Sequence, residues 1–96
     1  MRNNKLYYGG LFLVASLLFV LHSAFAYSLL PLFLAKDFFK ENGVTYREFN
    51  VASDAEKRTE MMQKSGGLAV PVITIDDQVL VGFDKEKLVE LLGVGA

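Results

Sequence analysis

The chain has 96 residues and a formal net charge of −1, with 52% hydrophobic and 22% charged residues, so it can form one small domain at most. It has no cysteine and one histidine. This excludes disulfides, thiolate or histidine metal sites and every mechanism that needs a thiol nucleophile. No basic run is present, so we expect no nucleic-acid partner.

The first third of the chain is strongly apolar. From Leu6 to Ala35 there is no Asp, Glu, Lys or Arg, and a short basic stretch with Arg2 and Lys5 lies at the start. The order of a basic, an apolar and a small-residue region, the last ending in "AFA" at residues 24–26, is typical of a signal peptide. Residues 11–34 are also long and apolar enough to span a bilayer.

These patterns predict a separate N-terminal segment at residues 1–28, either a cleaved signal peptide or a transmembrane anchor, followed by a domain at residues 29–96. The protein would then be held in a membrane by a single N-terminal helix, or be secreted or periplasmic. Two alternatives remain. The segment can be a buried helix of a globular protein, and the protein can be cytoplasmic if the N-terminus is misassigned.

The first amphipathic element follows this segment. The stretch "LFLAKDFFKEN" has helical spacing of its apolar residues, and Gly43 is placed as a left-handed cap. Pro31 fits the first turn of this helix, which we expect to be about 12 residues long. The stretch "AFAYS" is a weak candidate for an extra strand before it, and residues 44–51 favour a strand after it.

The second half of the chain shows a helix, a hairpin and a helix. Ser53 and Glu56 form a candidate capping box for a helix that ends at Gly66. The apolar run "LAVPVITI", the turn "DD" and the run "QVLV" predict a hairpin of two antiparallel strands. Asp84 is placed to cap a last helix that ends at Gly93. The resulting order is helix, strand, helix, hairpin, helix.

This order of elements and the amino-acid sequence itself resemble the glutaredoxin branch of the thioredoxin fold. The similarity runs from about residue 35 to residue 92 and rests on "AKDFFKENGVTYREFNV" and on the spacing of Pro and Gly in "GGLAVPVITIDDQVLVGFDKEKLVELL". It implies an α/β, thioredoxin-like fold that either has or lacks a proper first strand and follows an N-terminal hydrophobic helix. It also implies a cis peptide bond at Val70–Pro71.

The resemblance further implies a binding site, because members of the family bind glutathione or an extended peptide and exchange thiols and disulfides. The backbone before the cis-proline pairs with the ligand, and the backbone N–H groups at the start of the last helix hold a glutathione carboxylate. In this sequence the corresponding residues are Val70, Pro71, Gly82, Phe83 and Asp84. A strand edge and a helix N-terminus suit these roles. Asp84 has capping as an alternative role.

The sequence departs from the family at its catalytic motif. Counting back from Ala35–Lys36 places the two cysteines of the C-x-x-C motif at Leu29 and Leu32, and leucine cannot form a mixed disulfide. We therefore expect a redox-inactive glutaredoxin-like protein with no catalytic residue, no metal and no resident cofactor. Its expected partners are an extended peptide or glutathione at the Val70–Pro71 edge, and a membrane. The alternatives are a membrane-tethered or secreted binding module, and a truncated or frame-altered version of an active glutaredoxin.

Overall fold

The computed structural model describes residues 3–9 and 22–95, and the side chains of residues 3–9 and 29–95. In these ranges the chain forms four strands and three helices. In chain order they are β1 (Asn4–Tyr8), α1 (His22–Glu41), β2 (Arg47–Asn50), α2 (Ala55–Ser65), β3 (Val72–Ile75), β4 (Gln78–Val81) and α3 (Lys85–Leu92). This is the mixed α/β, thioredoxin-like fold that the sequence predicts.

The strands form one sheet in the order β2-β1-β3-β4. Strand β1 pairs in parallel with β2 and antiparallel with β3, and β3 forms the hairpin with β4. A proper first strand is therefore present, at Asn4–Tyr8, which decides between the two alternatives that the resemblance left open. The sequence alone leaves this open because β1 is short and its last three residues belong to the apolar run that begins at Leu6.

Helix α1 is longer than the sequence predicts. It spans 20 residues from His22 to Glu41 and contains Pro31 in its interior, not in its first turn. The stretch "AFAYS" is helical and forms no strand. Proline removes one backbone hydrogen bond from a helix and usually marks its beginning or its end, and here the apolar sequence on both sides continues the helix past it. Gly43, with φ 63°, follows the last turn as predicted.

Helices α2 and α3 are capped by aspartates. The Asp54 carboxylate accepts a hydrogen bond from the Lys57 N–H at 3.0 Å, so Asp54, and not Ser53 as the sequence predicts, is the N-cap of α2. A carboxylate one position later satisfies the same free N–H groups. At the other end, Gly66 has φ 81° and donates its N–H to the carbonyl of Met62.

The core has two parts, one on each face of the sheet. On one face, α1 and α3 cover β1 and β3 with a large cluster made of Leu6, Leu32, Ala35, Phe38, Phe39, Ile73, Ile75 and Leu88. On the other face, α2 contributes Met61 to a smaller cluster with Tyr7, Val51 and Val72. Successive strand residues point to opposite faces, which explains why Leu6 and Tyr7 lie in different clusters.

The structure corrects the predicted location at or beyond a membrane. Across residues 3–9 and 22–95, none of the helices is long and apolar enough to cross a bilayer. Lys5, which was expected to flank a membrane segment, lies inside β1. Helix α1 ends in a charged stretch and packs one side on the sheet. The apolar run at residues 10–21 lies outside the described residues, so the predicted boundary at residue 28 stays a prediction.

Candidate functional site

The loop before β3 brings the predicted binding residues together. The Val70–Pro71 peptide bond is cis, and Pro71 is buried. The Pro71 carbonyl accepts a hydrogen bond from the Gly82 N–H at 2.8 Å, which joins this loop to the segment that follows β4. On the other side, a Cβ at Gly9 would lie 3.4 Å from the Val70 side chain. Val70 is thus held between the end of β1 and the start of β3.

The backbone of Val70 is available for pairing. Neither its N–H nor its carbonyl has a hydrogen-bond partner in the part of the chain that the structure describes. An unpaired backbone donor and acceptor side by side are the groups that an added extended segment uses. The adjoining Leu68 is 61% exposed, so an apolar side chain lies next to these polar groups.

Residues 82–84 form the second wall of this candidate site. Gly82 has φ 84°, and a Cβ at this position would meet no atom within 4 Å. The position that a side chain would occupy at Gly82 is therefore open space. Phe83 packs its ring against Phe38 with centroids 6.1 Å apart, which fixes the wall to α1. The Asp84 carboxylate accepts from the Lys87 N–H at 3.2 Å, so Asp84 caps α3 as the sequence predicts.

The two positions that correspond to the family's cysteines lie well inside α1. Leu29 is seven residues after the first residue of the helix, and Leu32 is ten after it. Leu32 is 4% exposed and belongs to the larger core cluster, whereas Leu29 is half-buried. The described part of α1 already begins at His22. Both positions therefore lie beyond the N–H groups of the first helical turn.

One cation lies near the end of β1, and its charge is already paired. The Lys36 ammonium is 2.7 Å from the Glu48 carboxylate and 5.1 Å from the centre of the Tyr8 ring. The hydrogen bond to Glu48 raises the pKa of Lys36, and burial opposes this effect only in part. Lys36 is thus a structural cation that ties α1 to β2.

A polar network on the opposite face of the sheet has no counterpart in the sequence predictions. The buried Tyr7 donates its hydroxyl to Glu60 at 2.9 Å. The Glu60 carboxylate also lies within 4 Å of the ammonium groups of Lys5, Lys57 and Lys64. Burial and the hydrogen bond to Glu60 raise the pKa of Tyr7 far above its usual value. Lys57, Glu60 and Lys64 are neighbours on α2, but Tyr7 is 53 positions from Glu60, so only the three-dimensional fold joins β1 to this network.

The described residues contain no cluster of His, Asp or Glu that could hold a metal ion. They offer backbone groups, a cap and apolar side chains, which can bind a ligand through shape and hydrogen bonds.

Comparison with known proteins gives a consistent result. The Glutaredoxin family model matches residues 34–80. A glutaredoxin-like 8.6 kDa protein encoded in the rubredoxin operon of Clostridium pasteurianum is 37% identical over 57 residues, which cover 59% of this chain and 76% of that protein. Glutaredoxin 3 of Escherichia coli K12 is 40% identical over 50 residues, which cover 52% of this chain and 60% of that protein.

Solved structures resemble the whole described fold. A variant of the thioredoxin-like protein BC3987 has a TM-score of 0.73 and 27% identity, with 99% of this chain and all of that chain covered. A glutaredoxin of Archaeoglobus fulgidus has a TM-score of 0.62 at 21% identity, covering 96% of this chain and 87% of that chain. The second likeness shows the fold alone. These comparisons give no support to a truncated or frame-altered chain.

Proposed function

This chain belongs to the glutaredoxin family, and we propose that it is a redox-inactive member that binds an extended peptide or glutathione along the Val70–Pro71 edge. The observation that carries the proposal is the unpaired backbone N–H and carbonyl of Val70 beside a cis-proline, in a chain with no cysteine. The binding surface is retained without the group that performs the family's chemistry.

The loss of redox activity follows from the chemistry of exchange. A thiolate must attack a sulfur of the substrate disulfide and form a mixed disulfide. Leucine at positions 29 and 32 has no group that can ionise or attack. Methionine, the remaining sulfur residue, is a thioether, which has no proton to lose.

The proposed binding mode uses backbone groups on two sides of the site. On one side, the ligand backbone accepts from the Val70 N–H and donates to the Val70 carbonyl, as an added strand does. On the other side, the N–H groups of Phe83 and Asp84 have no partner in the described chain. They precede α3, whose N-terminus favours a carboxylate. Glutathione carries both an extended backbone and carboxylates.

The proposal is tested by titrating the ¹⁵N-labelled chain with reduced glutathione, and in a second series with a short extended peptide. We expect amide shift changes at Val70, Gly82, Phe83 and Asp84, and none at Thr59 on the exposed side of α2. No shift change at these four amides up to millimolar ligand would contradict the proposed site.

Two glycine variants give a matched comparison. Gly82→Ala and Gly43→Ala both place a Cβ on a residue with positive φ, 84° and 63°, and neither Cβ would meet an atom within 4 Å. Both therefore carry a similar backbone penalty. Only the Cβ at position 82 projects into the space where the ligand would lie. We expect weaker ligand binding by Gly82→Ala and unchanged binding by Gly43→Ala.

A further inference from the structure

A groove lies between α1 and the start of α3, and its lining includes Phe83 but not Val70 or Pro71. It has a volume of about 480 Å³, within the range of about 300–1,000 Å³ that ligand sites occupy. Leu34, Phe38 and Phe83 line it with apolar surface. Leu34 is 42% exposed, and Leu30, one helical turn earlier on the same side, is 59% exposed.

The α1 wall of this groove carries two carboxylates with no internal partner. Asp37 and Glu41 both line the groove, and neither forms an ion pair or hydrogen bond with the residues that the structure describes. They are four residues apart on one helix face, where like charges repel. Among the described residues that line the groove, the single cation is Lys85 on the α3 wall. The groove thus combines three apolar side chains with two carboxylates on its α1 wall.

We propose that this groove binds a peptide segment of a partner protein in which an arginine or lysine adjoins a bulky apolar side chain. The apolar side chain lies against Leu34, Phe38 and Phe83, and the cationic group reaches Asp37 and Glu41. An arginine fits best, because its planar guanidinium can donate to both carboxylates and stacks well on aromatic rings. This site goes beyond the Val70–Pro71 edge and adds a preference for a basic ligand that glutathione does not meet.

The test uses two probe peptides and the full chain. The first probe is acetyl-Gly-Leu-Arg-Gly amide, and in the second glutamine replaces arginine. Titration of the ¹⁵N-labelled chain should move the amides of Leu34, Asp37 and Phe83 at lower concentration with the arginine probe. Raising the salt concentration should reduce this preference, because exposed ion pairs are screened.

Variants without the two negative charges test whether the Asp37 and Glu41 carboxylates bind the arginine. The Asp37→Asn/Glu41→Gln double variant should bind the arginine probe about fivefold more weakly, as the loss of two exposed ion pairs gives, with little change for the glutamine probe. Glu56→Gln/Asp77→Asn removes the same charge from exposed positions outside the groove and should leave the affinity for the arginine probe unchanged.

Equal binding of both probes, or equal loss in the two double variants, would overturn the inference. Glutathione serves as an independent reference in the same samples. Retained glutathione shifts at Val70 with no arginine preference would reject the groove alone. Absent glutathione shifts with a clear arginine preference would reject only the proposed function at the Val70–Pro71 edge.

Discussion

Restoring cysteines at the two motif positions should not restore a glutaredoxin. In the Leu29→Cys variant the new thiol lies at least seven residues into α1, which at a rise of about 1.5 Å per residue is roughly 10 Å or more from the helix N-terminus. The favourable effect of a helix end on an anion fades within its first turn. The thiol should therefore keep an ordinary pKa, and only a few per cent should be ionised at pH 7.

Burial limits the reactivity of a cysteine at position 32. Leu32 is 4% exposed and packs in the larger core cluster, so a thiol there should be protected from reagents. The smaller side chain should also destabilise the fold by roughly 1–3 kcal/mol, part of the usual cost of shortening a buried leucine. A mixed disulfide resolved by position 32 is therefore not expected.

The assay is alkylation by iodoacetamide as a function of pH, together with glutathione-coupled reduction of a small disulfide. Thr59→Cys, at an exposed position of α2, provides the reference for an unperturbed thiol. We expect Leu29→Cys to titrate like this reference, Leu32→Cys to react far more slowly, and the Leu29→Cys/Leu32→Cys double variant to show no turnover. A thiol at position 29 that titrates well below the reference, or steady reductase turnover, would refute the reasoning.

Three further predictions concern stability and can be measured by urea unfolding. Tyr7→Phe removes the hydroxyl that donates to Glu60 and should reduce the free energy of unfolding by about 1–2 kcal/mol. Burial and, to a smaller extent, Glu60 raise the pKa of Tyr7, so the stability that Tyr7 contributes should be complete below about pH 10 and fall above it. The Tyr7→Phe variant should not show this loss at high pH. Burial raises the pKa of Glu60, but the hydrogen bonds from Tyr7 and Lys57 and the charges of Lys5 and Lys64 together lower it by more, so that it lies below its usual value of 4.5. The contribution of Glu60 to stability should therefore be present above that pH and be lost as the pH falls, with a flatter acid profile in Glu60→Gln. Asp84→Ala removes the cap of α3 and should cost about 1 kcal/mol, whereas Asp77→Ala in the hairpin turn should cost much less; equal losses would show that the cap is unimportant.

The sequence allows local features to be predicted where one or two residues determine the backbone. The Asp76–Asp77 turn, the left-handed Gly66 and Gly93, and the Asp84 cap all lie where the pattern places them. Each depends on a preference that acts within a few residues, such as the tolerance of glycine for positive φ. The cis peptide at Val70–Pro71 was implied by the family resemblance and is present.

Other features could not be predicted because they depend on contacts between distant residues. Strand β1 has only five residues, and its role as a central strand becomes visible only when β2 and β3 are placed on either side of it. The sequence predicts too short an α1 because proline is common at the start of a helix, whereas Pro31 lies in the interior of this one. The Tyr7–Glu60 network joins residues 53 positions apart, so no local spacing could indicate it.

The proximity of the candidate residues could be predicted from the sequence and their geometry only in part, and their role in binding stays a prediction. Val70, Pro71 and Gly82 were expected to lie together, and the hydrogen bond from Gly82 to Pro71 connects them. The sequence does not predict the groove beside Phe83, because its lining comes from α1, from the start of α3 and from Gly95, which are far apart in the chain. A shared helix face at Leu34, Asp37 and Glu41 was the one signal in the sequence that could have indicated it.

Hydrogen exchange at the Val70 amide tests the central claim most directly. The N–H has no partner in the described chain, so it should exchange quickly in the free protein and slowly when reduced glutathione or an extended peptide is bound. The amide of Val72, inside β3, serves as the internal reference and should exchange slowly in both states. A Val70 amide that is already protected without ligand, or one that a saturating ligand leaves unprotected, would contradict binding by backbone pairing at this edge.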